Sequence, residues 1–140
     1  MFGGVNLDRI ESFKRTRQYS KTDYQLLLRV LDDFTSLYTL AHVMAEVSNL
    51  TDLTGPERLQ ARQVLKATLA ILMEPEMASI RAAERAPYES LGLVDAAIAA
   101  LSRKHGCAVL TDDLDLYLAL SREGIVVLNF THLRERVWGV

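Results

Sequence analysis

A single cysteine, Cys107, stands in this chain, so no internal disulfide can form. It lies in the apolar run Cys107-Ala108-Val109-Leu110, where a buried small hydrophobe is expected. His42, His105 and His132 show no spacing that pairs them with it as zinc ligands. There is no excess of one charge: 16 Lys and Arg stand against 18 Asp and Glu, for a net charge of -2. No global basic field announces nucleic acid, although a carboxylate-lined site would itself offset basic residues elsewhere. Met1-Phe2-Gly3-Gly4-Val5 has neither the basic start nor the long apolar run of an exported leader. No stretch approaches membrane-spanning length, so no membrane association is expected, and a reducing, cytoplasmic location is. No Gly-rich phosphate loop follows a strand: Gly3-Gly4 is not preceded by one, and Gly92 stands alone. That leaves a nucleotide-binding α/β module with little support. There is no internal repeat or low-complexity tract.

What is present is enough apolar material for a core. The chain has 140 residues, 49% of them hydrophobic and 24% charged, which fits one domain spanning 1–140. Thr22 and Gln25 have the spacing of a capping box, and Leu26, Leu27, Val30, Leu31 and Phe34 follow as a helical stripe. Ser36-Leu37-Tyr38-Thr39-Leu40 reads as a strand, and a helix is expected over 41–50. Thr54-Gly55-Pro56-Glu57 opens a further helix, which runs to about Met73. A short strand is expected over Met77–Ile80, then a loop over 81–92. From 93 the order is helix, strand, helix, strand: helix to about 104, Gly106 at its end, strand over 107–111, helix over 114–122 ended by Gly124, and strand over 125–130. Continuous apolar strands alternating with helices belong to parallel sheets covered on both faces. The fold class expected is α/β.

Ligands in open α/β sheets gather at the carboxyl ends of the strands. Asp112 and Asp113 follow the strand ending at Thr111, Asp95 lies in the first turn of its helix, and Glu46 sits on a mostly apolar helix. Carboxylates brought close repel one another unless a cation sits between them. Hard oxygen ligands suit Mg²⁺ or Mn²⁺, an ion that activates water and stabilises charge on a phosphoryl oxygen. The plainer reading also has a physical basis. The helix macrodipole alone favours acidic residues in a first turn, which accounts for Asp95 and Asp115 and makes Asp113 a cap. Glu46 can simply face solvent.

Taken together, these segments resemble a known family. His42-Val43-Met44-Ala45-Glu46-Val47-Ser48-Asn49-Leu50 resembles the PIN-domain segment with the second acidic residue. Leu91-Gly92-Leu93-Val94-Asp95-Ala96-Ala97-Ile98 is similar to that with the third. Val109-Leu110-Thr111-Asp112-Asp113-Leu114-Asp115-Leu116-Tyr117 resembles the Thr-x-Asp signature of the fourth, and Val127-Leu128-Asn129-Phe130 looks like the last strand. The matches run in the family's order over roughly residues 36–130.

The resemblance implies a three-layer α/β/α fold with a mainly parallel central sheet. It also implies a metal-dependent endoribonuclease, of the kind found as the toxin of toxin–antitoxin pairs. By motif position it makes Glu46, Asp95 and Asp113 metal ligands for Mg²⁺ or Mn²⁺, with Asp112 an auxiliary carboxylate. Asn49 and Thr111 would orient those ligands by hydrogen bonds. The partners implied are single-stranded or structured RNA and an antitoxin protein.

One departure from the pattern is visible. PIN domains begin with a central apolar strand ending in Asp, and Met1 to Asp8 contain no such run, so neither Asn6 nor Asp8 takes the first acidic position. Two expectations follow: a start assigned too far downstream, or a truncated, catalytically inactive domain acting as a binding or dimerisation module. Loss of a central strand would expose two strand edges, which makes a homodimer the expected state. Finally, Lys14, Arg15 and Arg17 lie near Phe13 and Tyr19. Cations interleaved with aromatics bind phosphates and stack on unpaired bases, so these three are candidate RNA-binding residues, against the plain reading of a solvated loop.

Overall fold

The structure, a computed structural model, describes Ile10, Thr16, residues 18–50 and residues 54–139. Its elements in chain order are α1 (Lys21–Asp32), α2 (Ala41–Leu50), α3 (Gly55–Ile71), α4 (Ser79–Ala83), α5 (Tyr88–Leu91), α6 (Leu93–His105), β1 (Val109–Thr111), α7 (Leu114–Arg122), β2 (Val127–Asn129) and α8 (Phe130–Trp138). The residues divide into two compact units. One takes the described residues up to Thr39 together with Val43–Pro75; the other takes Leu40–His42 and the described residues from Glu76 onward.

In the first unit, α1 starts earlier than its sequence spacing predicts. The reciprocal cap is made by Ser20 and Asp23, not by Thr22 and Gln25. The Asp23 backbone N–H donates to Ser20 Oγ at 3.2 Å, and the Ser20 N–H donates to Asp23 Oδ2 at 2.7 Å. Two backbone donors are thereby satisfied where the helix has no carbonyl to offer them. Ser20→Ala should therefore lower stability by about 1 kcal/mol, measured as the midpoint of urea unfolding; an unchanged midpoint would mean that the cap contributes nothing. Thr54 precedes α3 at the capping position, but its side chain makes no cap bond there, and Pro56 sits in the first turn. Among the described residues, the apolar run at 36–40 supplies one parallel bridge, Tyr38 to Met73. It is closed by Thr39 N–H donating to the Met73 carbonyl at 2.9 Å and Met73 N–H donating to that of Leu37 at 2.8 Å. The strand partner is thus Met73, directly after α3. The strand expected over Met77–Ile80 is absent, and α4 begins inside it.

In the second unit, β1 and β2 pair in parallel, with Val109 opposite Val127, Leu110 opposite Leu128 and Thr111 opposite Asn129. Helix α7 is the crossover between them. The core joins three elements: Ala99 of α6, Val109 of β1, and Leu116 and Leu120 of α7 form one buried cluster. Leu91, Ile98, Ile125 and Val127 pack on its margin. The small residues Ala96, Ala97 and Ala99 are wholly buried and let α6 approach its neighbours closely. Gly106 ends α6 in the left-handed region at φ 65, with its N–H donating to the Ser102 carbonyl, a conformation that costs glycine little. Cys107 is half-buried, not buried as expected, while its carbonyl accepts from Ser102 Oγ at 2.6 Å. The last helix, α8, is not among the elements expected from the sequence pattern. Among the described residues, every strand pairing is parallel.

Candidate functional site

The register of the second unit's sheet fixes the geometry of its carboxyl edge. Because Thr111 lies opposite Asn129, the residues leaving both strands emerge side by side. Asp112 Oδ1 accepts from the Thr131 backbone N–H at 2.8 Å and from Thr131 Oγ1 at 2.6 Å. These are charge-assisted bonds, and they tie the loop after β1 to the first turn of α8. Asn129, buried at 4% exposure, caps α8 by accepting from the His132 N–H at 3.1 Å.

Asp113 caps α7. Its Oδ1 accepts from the backbone N–H groups of Asp115 at 2.8 Å and Leu116 at 3.0 Å. Thr111 Oγ1 in turn accepts from the Asp113 N–H at 3.1 Å, so Thr111 holds the backbone that carries the carboxylate. Between α7 and α8, the Tyr117 and His132 rings meet edge to face at 5.1 Å. Two helix N-termini thus face one strand edge, and their dipoles favour negative charge there.

Asp95 stands half-buried in the first turn of α6. It follows Gly92, whose φ of 94 admits the sharp turn into the helix. Glu46 and Asn49 belong to the first unit, both exposed on α2. Among the described residues, no three His, Cys, Asp or Glu side chains gather into one group able to hold an ion. Lys14, Arg15 and Arg17 lie outside the described residues, as does the segment before residue 10 where the first acidic strand is missing from the pattern. Sequence reasoning passed over Asn129 and Thr131. The signal for Asn129 was available, since a capping residue closing an apolar strand announces a helix start.

Against known proteins, the chain matches the PIN domain over residues 13–119, well over half its length and through both units. The chain belongs to the PIN domain family. No curated protein and no solved structure matches it. PIN membership carries a three-layer α/β/α fold class with a nuclease-type framework, and the parallel pairing of β1 with β2 agrees with it. PIN domains are in general divalent-metal-dependent nucleases that bind nucleic acid. No helix among the described residues is long and apolar enough to cross a membrane.

The donor chemistry of the four carboxylates singled out from the sequence fits such an ion. Glu46, Asp95, Asp112 and Asp113 offer carboxylate oxygens, the hard donors that Mg²⁺ and Mn²⁺ take. Both cap bonds of Asp113 go to Oδ1, which leaves Oδ2 for another partner.

Proposed function

We propose that this PIN-family chain is a metal-dependent endoribonuclease cutting single-stranded or structured RNA. The observation that carries the reading is Asp113: it sits at the carboxyl edge of β1, its backbone is fixed by Thr111, and one carboxylate oxygen is left over from capping. On motif position, Glu46, Asp95 and Asp113 are the metal ligands, Asp112 is an auxiliary carboxylate, and Asn49 and Thr111 are orienting groups. The ion, when bound, supplies charge neutralisation at the scissile phosphoryl group and a lowered pKa for water.

The chain's own residues do the positioning. Thr131 holds Asp112 through two bonds. Thr111 and the N-terminus of α7 hold Asp113, so its carboxylate need not be ordered at the moment of binding. The two helix N-termini favour the negative charge of an incoming phosphate. The same reading includes an antitoxin protein as partner, a homodimer as the working state, and one functional PIN-like domain across 1–140.

Mn²⁺ binding tests it ahead of any activity. Calorimetric titration of the wild-type chain should give saturable binding, weakened at least about 10-fold in Asp95→Asn. Equal affinity in the variant would remove Asp95 from the ligand set.

A further inference from the structure

We infer that a cationic cleft at the C-terminal end of α6, remote from the aspartates, seats a phosphate of a single-stranded nucleic acid and stacks one of its bases on Tyr88. The inference rests on the proposed RNA substrate and adds where the strand is held beyond the scissile bond. The cleft has a volume of about 440 Å³ and lies within the second unit. Four cations line it, Arg81, Arg85, Arg103 and Lys104, against the carboxylates Glu76 and Glu84. For a chain of net charge -2 this is a local concentration of positive charge.

Three of the four cations have a simpler account. Arg103 and Lys104 stand in the last turn of α6, where the macrodipole draws cations regardless of any ligand. Arg81 has the same account at the end of the five-residue α4, whereas Arg85 stands beyond that helix, in the turn after it. Arg81 makes only an exposed pair with Glu84, at 3.4 Å. Arg103 is fixed in place: it pairs with Glu123, and its Nη2 donates to the Ala86 carbonyl at 3.1 Å. Its Nη1 is buried and makes no hydrogen bond among the described residues, and its charge is met by the Glu123 carboxylate. The charge open to an anion is that of Arg85 and Lys104, both exposed and without an ion pair among the described residues. Ala100 leaves the floor free of bulk.

The neighbouring surface argues for a strand over a free anion. A second cleft, of about 420 Å³, shares Glu84 and Arg85 with the first and is lined by Tyr88 and Glu89, so that here the ring and not the charge is what it offers a strand. Tyr88 is 41% exposed. A groove that passes from cations to an exposed ring suits unpaired nucleic acid, in which the backbone tracks positive charge and bases stack on aromatics. Asp95 and Arg103 are eight residues apart on one helix, about 12 Å along its axis. The phosphate seated here is therefore not the one at the aspartates.

The test is fluorescence anisotropy of a labelled single-stranded oligoribonucleotide across a salt series, with EDTA present so that cleavage does not intervene. Circular dichroism establishes that each variant is folded. For Arg85→Gln with Lys104→Gln, the expected result is affinity lowered about tenfold. The slope of log K against log salt should shrink by about 0.7 for each cation that meets a phosphate. Tyr88→Ala should weaken binding about 5- to 100-fold with the slope unchanged. RNA affinity and slope equal to wild type in the folded variants would overturn the inference. So would displacement of nothing but inorganic phosphate from the cleft, which would assign it to a free anion. The two readings fail separately: wild-type chain that never cuts RNA overturns the nuclease, whereas an unaltered salt slope overturns the cleft.

Discussion

Leu120→Ala is expected to lower the free energy of unfolding by about 2–5 kcal/mol. Leu120 is wholly buried, at 0% exposure, in the cluster with Ala99, Val109 and Leu116. Truncation removes the transfer free energy of its side chain and leaves a cavity between α6, β1 and α7. The short strands that frame this cavity, three residues each, offer little pairing to resist its effect. Leu120→Met keeps the volume and should cost less than about 1.5 kcal/mol. Urea unfolding followed by circular dichroism separates the two. Equal midpoints for wild type and Leu120→Ala would mean that this cluster is not what holds the second unit together. The effect reaches the candidate site as well, because α7 carries Asp113 at its start.

Asp113→Asn is expected to leave stability within about 0.5 kcal/mol of wild type, since Asn caps as well as Asp and keeps an oxygen for the Asp115 and Leu116 donors. Over the same change, metal-dependent RNA cleavage should fall by about 100-fold or more, because a neutral amide is a poor substitute for a charged hard ligand. Asp113→Ala loses both roles and should cost about 1 kcal/mol in addition. The pair of variants separates the capping role of Asp113 from the catalytic one. Cleavage by Asp113→Asn at the wild-type rate would leave Asp113 as a cap alone.

The parts of the fold that could be read from the chain are those fixed by local periodicity. Helix α7 begins at Leu114 and ends at Arg122, and α2 spans Ala41–Leu50, both as their apolar spacing predicts. Gly106 marks the end of α6 for a reason visible in one residue. The misreadings cluster where structure is decided by distant partners. Met77-Ala78-Ser79-Ile80 is a short apolar run, and such runs do not distinguish strand from helix by period; here α4 starts at Ser79. The run at 36–40 pairs through one bridge to Met73, and nothing local to either segment announces that partner. At the carboxyl edge, Asp112 and Asp113 were legible from their place after an apolar strand. Thr131 was not, because its bond to Asp112 depends on the register of β1 against β2, nineteen residues away in the chain.

The most direct test of the central claim is cleavage of a labelled single-stranded RNA by the purified 140-residue chain with Mn²⁺, beside the same reaction in EDTA. Cutting that appears with Mn²⁺, stops with EDTA and is lost in Asp95→Asn is the predicted result. A folded chain that binds Mn²⁺ and RNA yet cuts nothing, or one that cuts equally well in EDTA, would contradict it.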